Sequence, residues 1–178
     1  MKPEILSHKK VYDGKVFDVF LSKIREGAVE YERDIISHHG SAVILPVFAD
    51  QTIALVKQYR HAAGEYLLEI PAGSLNENKS PEMGARRELE EEIGVVAGKI
   101  EKLAEFYVSP GFLAEKMFVF LATDLSETVQ NLEEDELIEI TKITFPKAFE
   151  MIKTGDIEDA KSIIGLILAG IKFGFVYE

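Results

Sequence analysis

From His8 to His38 apolar and polar residues alternate, as in Val16-Phe17-Asp18-Val19-Phe20-Leu21 and Val29-Glu30-Tyr31-Glu32-Arg33-Asp34-Ile35, and the runs break at Asp13-Gly14 and Glu26-Gly27. Period-two alternation interrupted by glycine turns predicts three antiparallel strands in a small sheet. Such a sheet, half polar, is marginal alone and needs to pack on the rest of the chain or on a second copy of it. Residues 41–48 and 52–59 are instead near-continuous apolar runs joined by Ala49-Asp50-Gln51, the pattern of central strands buried on both faces. A shorter strand over 66–70 leads into a loop, Pro71-Ala72-Gly73.

The period then changes. Ser80 can cap a helix, Pro81 suits its first position and Gly94 supplies a left-handed exit, so the spacing predicts a helix over 81–93. At ~100° per residue Ala85, Leu89 and Ile93 form an apolar stripe, while Glu88, Glu91 and Glu92 share a neighbouring arc. Strands over 100–107 and 117–125 flank Ser109-Pro110-Gly111-Phe112, and the acidic loop Glu133-Glu134-Asp135-Glu136 precedes a strand over 137–144. Pro146 opens a helix that Gly155 ends, and a final helix covers 157–173. That order predicts an α/β (α+β) fold, a mixed sheet covered by helices on both faces. It is divided into a small N-terminal antiparallel sheet over 1–39 and a main domain over 40–178.

With 178 residues the chain can enclose a full core. It has no cysteine, which excludes disulfides and thiolate chemistry and suits a cytoplasmic location. The N-terminus lacks the apolar core of a signal peptide. The longest apolar stretch, 163–171, is interrupted by Gly165 and Gly170 and falls short of the ~20 residues of a membrane span, so it is expected to be a buried helix. A net charge of -11 argues against sequence-independent binding to nucleic acid. An acidic chain acting on an anionic substrate would need metal ions and a few placed cations.

The acidic helix invites such ions. Like charges at i, i+3 and i+4 each cost a helix about a few tenths of a kcal/mol, and Arg87, paired with Glu91, relieves only part of that. Hard divalent cations prefer carboxylate oxygens and complete their shells with water and phosphate. Taken alone, however, a Glu-rich run is more often a solvated face.

The preceding loop shifts that balance. Gly73, Arg87, Glu88, Leu89, Glu91, Glu92, Gly94 and Val95 fit Gly-x5-Glu-x7-Arg-Glu-U-x-Glu-Glu-x-Gly-U, with U aliphatic, an agreement expected by chance at a given start on the order of once in 10^8. The sequence therefore resembles the Nudix hydrolases, which cleave a nucleoside diphosphate linked to another moiety. One position departs from the box, since Lys79 stands where its first Glu belongs. Pro110, fifteen residues beyond the box in a Ser-Pro-Gly-Phe context, resembles the ADP-ribose pyrophosphatase branch.

The resemblance implies an αβα sandwich and hydrolysis of ADP-ribose, or a related nucleoside diphosphate sugar, with Mg2+ or Mn2+ in its place. It implies Glu88 and Glu92 as principal metal ligands, the backbone carbonyl of Ala72 as another and Glu91 in support. Arg87 then fixes the carboxylates as well as pairing with Glu91. Glu136, nineteen residues before Gly155, resembles a loop Glu that serves as base; the alternatives are a solvated acidic turn, or Glu133 or Glu134 in that role. Arg60 resembles a phosphate-contacting Arg, with Arg33 as a second candidate, although either can be an ordinary surface Arg. Phe17, with Tyr12 and Tyr31, could stack on an adenine, though strand aromatics more often pack. Glu115 could reach substrate or metal. Lys79 cannot bind a cation; the Glu it replaces resembles a brace between loop and helix, which Glu77 or Glu82 could take over. His8, His38, His39 and His61 share no metal-ligand spacing and read as structural or exposed. Members of this branch are homodimers whose N-terminal sheets exchange contacts. The other readings are a pyrophosphatase for FAD or GDP-mannose, a catalytically silent nucleotide-binding module, and a structural dimerisation protein with an acidic face.

Overall fold

The computed structural model describes residues 2–75, 80–132, 134 and 136–175, and these fall into two compact units, Met1–Gly40 with Phe106–Met117 and Ser41–Glu105 with Phe118–Glu178. In the first, β1 (Glu4–Asp13), β2 (Phe17–Glu26) and β3 (Val29–His38) pair antiparallel in chain order, as the alternation predicts. Gly27 makes the β2–β3 turn at φ 62°. Ser22, fully buried, hydrogen-bonds His8 Nδ1 at 2.7 Å, and His8 stacks on Phe20. The 106–117 segment joins through a parallel bridge, in which Ile36 N donates to Phe112 O at 2.7 Å and Ala114 N to Ile36 O at 2.8 Å.

The second unit is built on β4 (Ser41–Pro46), buried at every position. It lies in a sheet ordered β7 (Ala72–Ser74), β4, β9 (Lys116–Glu127), β8 (Val95–Tyr107), and the far ends of β8 and β9 belong to the first unit. A separate antiparallel sheet places β5 (Thr52–Arg60) between β6 (Glu65–Glu69) and β10 (Ile138–Thr144). The helices are α1 (Pro81–Glu88), α2 (Phe145–Thr154) and α3 (Ala160–Lys172). Ile44, Val56, Leu75, Leu89 and Phe120 meet in one core cluster, each burial contributing about 1.5–3 kcal/mol. This core roots both the helix that carries the acidic residues and the strands beside it.

Several elements differ from the sequence expectation. Beside the expected N-terminal sheet, the remaining strands divide between two sheets instead of forming one mixed sheet. Pro71-Ala72-Gly73 is not all loop, because Ala72 and Gly73 pair with Val43 and Ala42. Strand β8 starts directly after Gly94, where the small residues Ala97-Gly98 disguise an alternation of buried Val95 and Ala97 with exposed Val96. Helix α3 begins later than residue 157, because Asp159 caps it by accepting from Ser162 N at 2.9 Å. It buries one face, including Leu166 and Ala169, and leaves Ile171 exposed. Gly170 permits its close approach to α2: a Cβ there would lie 2.2 Å from Phe149 Cζ. Among the described residues no helix is long and apolar enough to cross a membrane.

Candidate active site

Helix α1 begins as its sequence dictates. Ser80 Oγ accepts from Met83 N at 3.3 Å, Pro81 occupies the first turn, and Ala85 turns into the core. After Glu88 the winding loosens into a π-helical turn, Leu89–Ile93, which ends at Gly94 in the left-handed region, φ 69° and ψ 37°. The 128–131 segment satisfies the carbonyls at this end: Gln130 Nε2 donates to Glu92 O at 2.7 Å, Asn131 N to Glu91 O at 3.0 Å and Thr128 N to Gly94 O at 2.8 Å. Single π turns of this kind recur at functional sites.

The wider turn separates three acids that ideal helical geometry would leave on one arc. Glu88 and Glu92 face inward, 5% and 4% exposed, whereas Glu91 stays about one-third exposed beside Arg87. Arg87 Nε lies 3.4 Å from Glu91 Oε2, and its Nη2 donates to Glu88 Oε1 and, at 3.2 Å, to Ser74 O. Arg87 thus contacts Glu91 along the helix and the inward carboxylate of Glu88 at once.

Burial pushes Glu92 up to about 8, reinforced by the charges of Glu88 and Glu136 and opposed by Arg60 and the N–H of Ala72. Its Oε2 is buried with no hydrogen-bond partner among the described residues. Burial also raises Glu88, against the pull of Arg87. Gly73 makes room for that carboxylate, since a Cβ there would lie 2.1 Å from Glu88 Oε1. Among the described residues no three acidic or histidine side chains already converge as a metal cage. The donor set nonetheless suits a hard divalent cation: two desolvated carboxylates, one with an unsatisfied oxygen, lie beside the backbone of β7.

The remaining candidates separate by unit. Glu136, half-buried, acts electrostatically on both Glu88 and Glu92. Arg60, ending β5, donates Nε to Glu69 Oε1 at 2.7 Å and Nη2 to Glu69 Oε2 at 2.6 Å, and its charge also acts on Glu92. Arg33, Phe17 and Glu115 belong to the first unit. There Arg33 lies 4.3 Å from the ring centre of Tyr31, and both line a cavity of about 410 Å³ with Tyr107, Pro110 and Phe112. Phe17 borders a smaller polar cavity with His38 and His39, and Glu115 Oε1 lies 3.7 Å from His38 Nδ1. His61 packs edge-on to Tyr59. Glu82 pairs with Arg86 at 3.0 Å, and Glu134 lies exposed in a turn. Lys79, Glu77 and Glu133 lie outside the described residues.

Sequence reasoning passed over Glu69, Lys161 and Gln130. A lone Glu ending the run Leu67-Leu68-Glu69-Ile70, and a lone Lys heading an apolar helix, were the available signals for the first two. Gln130 offered none.

Comparison with known proteins places this geometry among relatives. Residues 37–164 match the family model described as NUDIX domain. An ADP-ribose pyrophosphatase of Bacillus subtilis (strain 168) is 35% identical over 165 residues, 91% of this chain and 89% of that protein. A methanol dehydrogenase activator of Bacillus methanolicus is 31% identical over 92% of each chain, and a GDP-mannose pyrophosphatase of Enterobacter sp. (strain 638) is 34% identical over 76% of each. A crystal structure titled as an ADP compounds hydrolase superposes with a TM-score of 0.86 at 22% identity, covering 99% of this chain and 98% of that one, which shows the shared fold.

Proposed function

This chain belongs to the Nudix family, and we propose that it hydrolyses the pyrophosphate bond of ADP-ribose, or of a related nucleoside diphosphate sugar, releasing AMP and ribose 5-phosphate in a Mg2+-dependent reaction. The observation that carries this reading is the desolvated pair Glu88 and Glu92, with an unpartnered oxygen on Glu92, set against the glycine at position 73. Glu88 and Glu92 would hold the cation, with the carbonyl of Ala72 and with Glu91 in support. When bound, the ion offsets phosphate charge and lowers the pKa of water.

The chain's own groups do the rest. Water attacks one phosphorus, its new O–P bond replaces the bridging O–P bond, and the departing phosphate oxygen takes the electron pair. Glu136 accepts the proton lost by that water; its electrostatic closeness to Glu88 and Glu92 supports this role. Arg87 steadies Glu88 and Glu91. Arg60 holds a substrate phosphate. Arg33, Phe17 and Glu115 are our further candidates for substrate contact, each within the first unit, and the aromatic cavity that Arg33 lines supports its assignment.

The exposed Ile5, Val11, Val16 and Val29 support a homodimer assembled through the N-terminal sheet, residues 1–39, with the hydrolase domain over 40–178. We assign the enzyme to the cytoplasm. ADP-ribose, GDP-mannose and FAD, each incubated with chain and Mg2+ and read by coupled phosphatase, test the reaction. Preferred turnover of ADP-ribose is the expected result. The second reading is a catalytically silent nucleotide-binding module, and nucleotide binding with no hydrolysis of any compound would establish it over the first.

A further inference from the structure

A buried ion cluster stands directly behind Arg60. Glu69 is 1% exposed and both of its oxygens are engaged, by the two-pronged contact from Arg60 and by Lys161 of α3, which bonds Oε2. Lys161 also pairs with Asp159 at 3.0 Å, and the adjoining Ser162 Oγ accepts from Ile70 N at 2.8 Å. Folding alone does not call for this arrangement. Sequestering ions is costly, apolar side chains of similar volume would fill the space, and a Lys in a first helical turn opposes the helix dipole.

Exposure shows which member looks outward. The side chains of Glu69 and Lys161 are 1% and 8% accessible, but Arg60 is 37% accessible. Arg60 lines a cavity of about 380 Å³ with Tyr59, His61 and Leu137. A carboxylate gripping a guanidinium at two points fixes its plane as well as its place. Because Lys161 shares the charge of Glu69, Arg60 is oriented without being fully neutralised.

We infer that Glu69 and Lys161 are positioning residues that hold the Arg60 guanidinium on the cavity wall, with charge left for an anionic phosphate group of the substrate. The assignment rests on the pyrophosphatase reading for the identity of that anion. Kinetics of the full chain with Mg2+ and ADP-ribose test it on Glu69→Gln, Arg60→Lys and the double variant. Loss of a charge-assisted fork should raise KM about ten-fold in Glu69→Gln while kcat falls less than about three-fold. Arg60→Lys should raise KM comparably, and the double variant should be no worse than the more severe single. Glu69→Asp, which keeps the charge, should recover part of the loss. A Glu69→Gln KM within about two-fold of the parent, or single effects that add in the double variant, overturns the inference.

Should Glu69→Gln fail to fold, Lys161→Met carries the same test: Glu69 then neutralises Arg60 alone, so KM should rise, and an unchanged KM overturns the inference. Calorimetric titration with ADP separates this proposal from the reading beneath it. If the parent binds ADP but turns over no ADP-ribose, the pyrophosphatase reading fails, and about ten-fold weaker ADP binding by Glu69→Gln still supports the positioning role. Equal ADP binding by parent and variant, or none by the parent, overturns it.

Discussion

Near neutral pH the metal-free chain holds a proton on Glu92 that the unfolded chain has already released, because the folded-state pKa stands at about 8 against an ordinary 4.5. A raised folded-state value means stability that is full below about pH 4.5 and lost as pH climbs through about 8, since over that window the native state binds more protons. Glu88, raised by its own burial, acts in the same direction. Melting temperatures in EDTA should therefore fall between pH 5.5 and 8.5, and Glu92→Gln should flatten the curve; an equally steep fall in that variant would remove Glu92 as its source. The same substitution should lower kcat by about a hundred-fold or more with the fold retained, and near-normal turnover would rule out its metal role. Gly73→Ala thrusts a methyl into the Glu88 carboxylate, so the rise in melting temperature on adding Mg2+ should shrink markedly; an undiminished rise would show that Glu88 is not held there. The spacing of the box made these residues legible. Which acids would be buried was not legible, because that depends on how the backbone winds.

The helix carrying them shows where local signals suffice. Ser80, Pro81 and Gly94 each act on their immediate neighbours, and the structure ends the helix where they indicate. The π turn between them leaves no such mark, since its carbonyls are met by Gln130 and Asn131 from a distant segment. Gly94 is doubly constrained, by φ 69° and by Gln130 N, which would lie 3.0 Å from an added Cβ. Gly94→Ala should cost about 1–3 kcal/mol in urea unfolding, and a loss under about 0.5 kcal/mol would mean the turn relaxes without strain. The first residues of strand β8, ahead of the predicted start at 100, and the cap of α3 escape the sequence for the same kind of reason. A strand of small residues has little alternation to display, and Asp159 is one of several acids that could cap.

The whole chain was readable as strands around one acidic helix, because buried runs and half-polar runs differ in composition. The attachment of residues 106–117 to the N-terminal sheet was not, because it rests on backbone hydrogen bonds to Ile36 that any side chains could make. The exposed apolar residues of that sheet should be covered in a dimer, so sedimentation should report twice the chain mass, and replacing Val11 and Val16 by Lys should release monomers. A parent sedimenting as a monomer would remove the assembly from the proposal. The bond between Glu69 and Lys161 joins positions 92 residues apart. During synthesis Arg60 and Glu69 emerge together, well before Lys161. A nascent chain would thus carry the fork between them without the lysine that shares the glutamate's charge until α3 leaves the ribosome.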